Sequence, residues 1–177
     1  MSGLNFIIRR EEERDYGDVF NIIERAFKGV DQSDHREQFL VEKLRKSSAF
    51  IPELSLVACS RGSVVGHILF TKIHVSGHEL LALAPLSVSP DYQGMGVGGA
   101  LIRQGHKAAA ALGYRGAVVM GHEGYYPKFG YGPAVRYKIF PPFECPAENF
   151  MCIELVEDGL KGIEGVVEYA PEFGITG

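Results

Sequence analysis

The stretch LSVSPDYQGMGVGGALI, residues 86–102, places four glycines within six positions between a strand-like run and a helix-like run. A helix N-terminus presents unpaired backbone N–H groups and about half a unit of positive charge, so it attracts anions. Glycines let a ligand approach that backbone because they carry no Cβ. A tight turn with close helix–sheet packing would account for one or two glycines. Four glycines therefore favour a site for a pyrophosphate.

Two pyrophosphate motifs fit these letters. Gly94, Gly96 and Gly99 match the G-x-G-x-x-G of dinucleotide-binding folds, whereas Gln93, Gly96 and Gly98 match Q/R-x-x-G-x-G/A. The dinucleotide motif follows a parallel strand directly and has an acidic residue about 20 residues later, at the end of the next strand. Here SPDY intervenes, the preceding strand is predicted to be antiparallel, and the next strand ends without an acid. We therefore favour the second motif, and the absence of G-x-x-x-x-G-K-[ST] excludes a P-loop.

Hydrophobic periodicity outside this stretch predicts a single domain of class α+β, or mixed α/β. A length of 177 residues suits one domain with one core. Three β-rich runs within 54–90, joined by SRGS and VSGHE, predict an antiparallel meander. The other predicted elements, in chain order, are a strand over 4–9, a helix over 14–28, a helix from Asp34 as N-cap, a helix from 97 to 112, a strand over 116–120, a short helical turn within 124–133, and strands near 151–155 and 166–169.

Charge and composition exclude several classes of protein. The net charge of −4 provides no basic surface, so we expect no nucleic-acid partner. The apolar stretch 80–88 is about half of the roughly 20 residues that a membrane helix needs, and charges soon follow the first apolar run, so we expect no membrane partner, no export signal and a cytoplasmic location. Cys59, Cys145 and Cys152 are odd in number and lack metal-type spacing, which predicts reduced thiols and no metal site.

Two motifs together resemble those of one enzyme family. The stretch 86–102 resembles the coenzyme motif of the GCN5-related N-acetyltransferase (GNAT) family, and YYPKFGY, residues 125–131, resembles its later Tyr-x-x-x-Gly-aromatic motif. They occur in the family's order with comparable spacing, and the resemblance covers most of the chain. The sequences of YYPKFGY and of the tail 148–174 are most similar to those of an uncharacterised bacterial branch of predicted N-acetyltransferases.

The resemblance implies a fold and a function. The fold is that of a single N-acetyltransferase domain over 1–177, with a central, mostly antiparallel twisted sheet flanked by helices and with strands four and five splayed apart. The function is direct transfer of an acetyl group from acetyl-CoA to a primary amine of a small molecule or peptide. A catalytically inactive coenzyme A-binding sensor or interaction module of the same fold is the alternative, and a homodimer remains open. The loop over 28–34 and the C-terminal strands would select the amine, which the sequence does not identify.

The resemblance also assigns the coenzyme-binding residues. The backbone of three strand residues would pair with the pantetheine arm, and the glycine run would hold the pyrophosphate. Pro85 supports this independently, because a proline inside a strand is normally confined to a bulge or an edge. A free amide at that break could stabilise the developing oxyanion. The assigned residues are Leu86, Ser87, Val88, Gln93, Gly94, Met95, Gly96, Val97, Gly98 and Gly99.

Proton transfer needs an acid for the leaving sulfur and a base for the amine. By the resemblance Tyr126, four residues before Gly130, is the acid, and its neighbour Tyr125 could exchange roles with it. His122 is the candidate base because the ordinary pKa of histidine suits work near neutrality. Glu79 and water are the alternatives, and a structural tyrosine and a plain loop histidine remain the simpler interpretations.

Three further histidines lie in the predicted hairpin region. His67, His74 and His78 are expected to be scattered surface residues rather than a metal cluster. HELLA, residues 78–82, lacks the final histidine of H-E-x-x-H, so a zinc protease is not indicated.

Overall fold

The computed structural model describes residues 4–175, in which three α-helices pack on a mixed β-sheet. The helices are α1 (Tyr16–Phe27), α2 (Glu37–Arg45) and α3 (Val97–Ala111). The strands are β1 (Ile7–Arg10), β2 (Phe50–Ser60), β3 (Ser63–Val75), β4 (His78–Val88), β5 (Gly116–Met120), β6 (Gly132–Pro133), β7 (Ile139–Phe140), β8 (Phe150–Glu154) and β9 (Gly165–Glu168).

The sheet follows the order β1-β2-β3-β4-β5-β8-β6, and β9 pairs with both β3 and β7. The predicted meander is confirmed, because β1 to β4 pair with their chain neighbours in antiparallel fashion. Strands β4 and β5 are parallel, with α3 as the crossover between them, and β7 and β9 are also parallel. The fold class is therefore mixed, with a mostly antiparallel sheet.

Helices cover both faces of the sheet. Since successive strand residues point to opposite faces, β3 supplies Ile68 and Phe70 to the core under α3, and Leu69 to the core under α1 and α2. The side chains that α3 buries in its core are Val97, Leu101, Ile102 and Ala109; those that α1 and α2 bury in the core on the other face are Val19, Ile23, Val41 and Leu44. Within residues 4–175, no helix combines the length and the apolar character needed to span a bilayer.

The second helix begins later than predicted. The Asp34 side chain accepts a hydrogen bond from the backbone N–H of Arg36 at 2.9 Å, which forms a local turn instead of a cap. The Ser33 hydroxyl donates to Glu37 at 2.7 Å, and α2 starts at Glu37. The prediction that Asp34 is the N-cap is wrong because its side chain already satisfies the turn.

The first strand is also displaced, since pairing with β2 runs only from Ile7 to Arg10. Leu4 and Phe6, inside the predicted strand, instead pack against the core under α3.

Gly105 lies in the middle of α3, where the close packing of the helix on β3 leaves no room for a Cβ. A Cβ at this position would overlap the Phe70 ring on β3. Glycine therefore allows α3 to approach the sheet closely, which offsets its helix-propensity cost of about 1 kcal/mol. Gly113 follows the helix with a φ of +92°, as expected for a residue that ends a helix in the left-handed conformation.

Candidate active site

Strands β4 and β5 separate at one end of the sheet. Their parallel pairing is confined to Leu81 with Ala117 and Ala82 with Val118. Strand β4 then continues to Val88 on β3, whereas β5 continues to Met120 on β8. The two strands are therefore splayed, as the family resemblance implies, and the β5-facing edge of β4 is open beyond Ala82.

A bulge marks the start of this open edge. Leu83 lies opposite Phe70 and Leu86 lies opposite Ile68, so Ala84 and Pro85 together face the single residue Leu69 of β3. The peptide bond between Ala84 and Pro85 is cis. A bulge accommodates proline because the ladder there needs no N–H from it.

Backbone groups of β4 alternate between β3 and the open edge. The N–H of Ser89 donates to Val65 of β3 at 2.8 Å. The Val88 carbonyl instead accepts a hydrogen bond from the Gln93 side chain at 3.1 Å, on the side away from β3. By this alternation the polar groups of Leu86 and Val88 face the open edge, and those of Ser87 face β3.

The four glycines of the run differ in surroundings. Gly94 and Gly96 have φ values of +76° and +86°, and a Cβ on either would meet no atom within 4 Å. They therefore form an open turn that ends directly at α3, with Gly96 as its N-cap. A Cβ on Gly98 would lie 2.7 Å from the Tyr125 hydroxyl, and one on Gly99 would lie 3.0 Å from the Phe129 ring. Two glycines therefore shape the turn, and two allow the 125–131 motif to pack on α3.

A groove of about 570 Å³ connects the open edge of β4, the start of α3 and the end of α1. Eight of the ten predicted coenzyme residues line this groove, the exceptions being Ser87 and Met95. The Ser87 side chain is buried under the helices, and Met95 is exposed. Tyr125, named from sequence only as an alternative acid, and Val30, in the loop expected to select the amine, also line the groove. The lining residues that sequence reasoning missed are Ala26, Phe27, Tyr92, Arg103, Lys128 and Phe129.

Two cationic side chains lie at the groove. The Arg103 guanidinium is 5.0 Å from the centre of the Phe129 ring, and the Lys128 ammonium is 5.6 Å from the centre of the Tyr125 ring. Neither cation forms an ion pair within residues 4–175. Together with the N-terminus of α3, they provide an electropositive wall that suits phosphate groups.

The two neighbouring tyrosines point to different places. The Tyr125 hydroxyl lies against Gly98 in the groove. The Tyr126 ring packs on Gly121, the residue after β5, and edge-on against Tyr131 with ring centres 5.7 Å apart. Burial, with a smaller contribution from Tyr125, raises the pKa of Tyr126 above its ordinary value, so its phenol keeps the proton at neutral pH.

His122 lies on the exposed loop after β5. Its Nδ1 accepts a hydrogen bond from the Gly124 N–H at 2.9 Å, and 77% of the side chain is exposed. The side-chain amide of Asn149, directly before β8, donates to two residues of this loop, the Gly121 carbonyl at 3.0 Å and the Glu123 carboxylate at 2.7 Å. Sequence reasoning missed Glu123 and Asn149, because the contact depends on the pairing of β5 with β8.

Two of the remaining sequence expectations change. Glu79 pairs with His74 at the far end of β4, six residues from Pro85 or about 20 Å along a strand, which removes it as a base. His67 is not a surface residue but is fully buried, because its position on β3 faces α1 and α2. His74 and His78 are exposed, as expected. Among the described residues, no group of three or more His, Cys, Asp and Glu side chains is arranged to hold a metal ion.

A larger cleft of about 740 Å³ lies beside β1 and the turn between β2 and β3. Arg9 there donates to both carboxylate oxygens of Asp15, at 2.7 and 2.9 Å. Because these charges satisfy each other, and because no sequence motif maps to this cleft, the groove at β4 is the better candidate active site.

Comparison with known proteins gives a consistent result. The model of the Acetyltransferase (GNAT) family matches residues 16–131. Two similar proteins of Escherichia coli K12 are an uncharacterized N-acetyltransferase YjhQ, 37% identical over 153 residues (84% of this chain, 82% of YjhQ), and an uncharacterized N-acetyltransferase YhbS, 30% identical over 170 residues (94% of this chain, 98% of YhbS).

Two solved structures resemble the fold over nearly its whole length. A crystal structure of Escherichia coli YhbS in complex with CoA matches with a TM-score of 0.89 and 28% identity, covering 100% of this chain and 96% of that one. A GNAT family acetyltransferase from Brucella melitensis in complex with acetyl-CoA matches with a TM-score of 0.79 and 33% identity, covering 96% of this chain and 98% of that one.

Proposed function

The chain belongs to the GNAT family of acetyltransferases, and from this premise we propose that it transfers the acetyl group of acetyl-CoA directly to a primary amine. The observation that carries the proposal is the groove in which the open edge of β4 meets the N-terminus of α3. The acceptor is a small molecule or a peptide. Residues 1–177 form one acetyltransferase domain in this proposal, although 1–3 and 176–177 lie outside the described residues.

Binding of acetyl-CoA is supported by the fit of the groove. The turn at Gly94 and Gly96 leaves open space beside the helix N-terminus, where phosphate groups would be stabilised. Arg103 and Lys128 add two cations to the lining of the groove. The backbone groups of Leu86 and Val88 face the open edge of β4 and would hydrogen-bond the pantetheine amides, as an added strand would. The relatives bound to CoA and acetyl-CoA support the same choice.

Acetyl-CoA supplies an acyl carbon activated by its thioester. Beside it, the free N–H of Leu86 would donate to the developing oxyanion, since it follows the bulge directly and faces away from β3. Tyr126 would donate its proton to the leaving sulfur, and its burial at the end of β5 keeps that proton in place. Tyr125 would contact the coenzyme, because its hydroxyl lies in the groove at Gly98.

The base that receives the proton of the amine is His122 or water. His122 lies on the loop after β5 and is exposed, so it is accessible to an amine that approaches from solvent the point where β4 and β5 separate. Glu79 no longer competes for this role, because it lies at the other end of β4.

Differential stabilisation by coenzymes tests the proposed site. We expect the unfolding temperature of the protein to rise with acetyl-CoA and not with NAD. At a hundredfold excess over Kd the stabilisation is about 2.7 kcal/mol. Stabilisation by NAD alone would restore the dinucleotide interpretation of the glycine run and overturn the proposal.

A further inference from the structure

A line of buried polar side chains crosses four adjacent strands under α1 and α2. It starts at Glu11, directly after β1, whose side chain is 1% exposed, and continues through Ser55 of β2 to His67 of β3. Ser87 of β4 lies directly opposite His67 in the strand register. The line therefore leads from the end of β1 to the strand that carries the open edge of the groove.

The hydrogen bonds at Glu11 determine which group donates and which accepts at each contact along the line. Arg45 donates to both carboxylate oxygens, at 3.1 and 2.6 Å, and the Ser55 hydroxyl donates to one of them at 2.9 Å. A hydroxyl has a single proton, so the contact of 3.0 Å between Ser55 Oγ and His67 Nε2 requires the histidine to donate. His67 therefore carries its proton on Nε2, and its Nδ1 is an acceptor.

The line is interrupted between His67 and Ser87. His67 Nδ1 and Ser87 Oγ are both buried and have no hydrogen-bond partner within residues 4–175. Burial lowers the pKa of His67 to about 4, so the ring is neutral and Nδ1 keeps its lone pair. Side chains directly opposite on antiparallel strands have Cβ atoms about 5 Å apart. Buried waters typically hydrogen-bond to otherwise unsatisfied polar groups, so one water between these two side chains would satisfy both atoms.

We propose that a buried water molecule bridges Ser87 Oγ and His67 Nδ1 and that the completed line positions the coenzyme-binding edge of β4. Ser87 donates to the water, the water donates to His67, and every donor in the line then points toward the Glu11 carboxylate. Hydrogen bonds that are aligned in this way polarise and strengthen one another in a low-dielectric interior. Ser87 and His67 are positioning residues in this proposal, since neither lines the groove.

The open edge of β4 needs such a support because it is attached to the sheet on one side only. Pairing with β5 stops at Ala82, and the bulge at Ala84 and Pro85 interrupts pairing with β3. Beyond the bulge, among the described residues, β4 remains paired with β3 only over the short stretch from Leu86 to Ser89. Ser87 lies within this short ladder, between the two residues whose backbone groups face the groove.

The water itself is tested on the full-length protein, without reference to activity. We expect a high-resolution crystal structure to show an ordered water within hydrogen-bond distance of both Ser87 Oγ and His67 Nδ1. We expect ¹⁵N NMR of the His67 ring to show a neutral ring protonated on Nε2. A direct contact between the two side chains without water, or a proton on Nδ1, would overturn the proposal.

The positioning role rests on the proposed function and is tested by acetyl-CoA affinity. We expect Ser87→Ala to weaken acetyl-CoA binding about fivefold, as the loss of one buried hydrogen bond would, and Ser87→Thr to restore part of it. Thr71→Val is the matched control: it removes another unpartnered buried hydroxyl from the same strand as His67, opposite Ala82 rather than a polar residue, and should leave affinity unchanged.

Equal affinities in Ser87→Ala and wild type would remove the positioning role. If wild type itself fails to bind acetyl-CoA, the proposed function fails. The crystal structure and the NMR of the His67 ring then still decide whether the bridging water exists. The crystallographic and NMR measurements use wild type, so they also decide it if Ser87→Ala does not fold.

Discussion

At the residue scale, Tyr126 carries the first prediction. Its side chain is partly buried, its phenol is protonated at neutral pH, and it packs at the end of β5, where the strands separate. A thiol has an ordinary pKa near 8.5, so a thiolate leaves tolerably well and its protonation helps without being indispensable. We therefore expect Tyr126→Phe to lower kcat by roughly 10²-fold, with acetyl-CoA binding retained, as measured by steady-state kinetics and calorimetry.

Tyr125→Phe is the matched control for this prediction. Its hydroxyl lies against Gly98 in the groove, so its removal should affect the KM for acetyl-CoA more than kcat. If Tyr125→Phe is the variant with the large loss of kcat, the roles of the two tyrosines are exchanged. If neither variant loses kcat, water or another group is the acid.

Residue-scale features divide into those that local sequence determines and those that tertiary contacts determine. The resemblance of YYPKFGY to the family motif singled out two tyrosines, but which of them faces the groove depends on packing against Gly98 and Gly121. His67 could not be recognised as buried, because the hairpin pattern does not reveal which face α1 and α2 cover. Glu11, which lies 3.5 Å from His67, and Arg45, which pairs with Glu11, are far apart in sequence and meet only in the folded protein.

At the scale of elements, the turn before α3 carries the second prediction. Gly96→Asp adds a negative charge beside the predicted phosphate site, so acetyl-CoA affinity measured by calorimetry should fall at least tenfold. Gly62→Asp is the matched control, because Gly62 has a similar φ of +79° and equally open surroundings in the turn between β2 and β3. Both variants should lose about 1–2 kcal/mol of unfolding free energy from the left-handed conformation. Equal acetyl-CoA affinity in the two folded variants would contradict the assignment of the turn.

The packing of α3 on β3 carries the third prediction. Alanine is the better helix former by about 1 kcal/mol, but Gly105→Ala would force its Cβ against the Phe70 ring, and overpacking of this kind costs about 1–3 kcal/mol. We expect denaturant unfolding to show a net destabilisation. The double variant Gly105→Ala with Phe70→Leu should recover part of it, and a Gly105→Ala variant more stable than wild type would show that the contact is not tight.

Strong local signals made most elements predictable from sequence. The meander, α3 and β5 follow from periodicity and turn residues, whereas the splayed strands were implied by the family resemblance and supported by the position of Pro85. The start of α2 was misplaced because Asp34 and Ser33 serve a local turn. Strands β6 and β7 have two residues each, too few for a periodic pattern, and exist through long-range pairing.

At the scale of the whole molecule, the buried His67 and the partly buried His106 make the free energy of unfolding depend on pH. Burial lowers the pKa of both His67 and His106 to about 4, below the ordinary value of 6.5 that they regain on unfolding. For His67, Glu11 opposes and Arg45 reinforces this shift. Between these values the unfolded chain binds more protons than the folded chain. The contribution of the two histidines to the free energy of unfolding is therefore fully present above pH 6.5 and decreases as the pH drops toward 4. The slope is at most about 1.4 kcal/mol per pH unit for each histidine.

Urea unfolding between pH 7 and pH 4 measures this dependence. We expect His106→Gln to show a shallower decline than wild type, because one buried histidine no longer takes up a proton on unfolding. His78→Gln, which changes an exposed histidine, should follow the wild-type curve. A decline in His106→Gln as steep as that of wild type would mean that other groups cause the acid sensitivity.

The central claim, that the molecule is an acetyl-CoA-dependent N-acetyltransferase, is tested most directly by turnover. The wild-type protein is incubated with acetyl-CoA and a panel of small amines and peptides, while free thiol is followed optically and the acceptors are weighed by mass spectrometry. The predicted result is amine-dependent thiol release together with an acceptor heavier by one acetyl group, and a slower rate with Tyr126→Phe. Tight binding of acetyl-CoA with no amine-dependent thiol release and no acetylated acceptor would contradict the claim and indicate a coenzyme A-binding sensor.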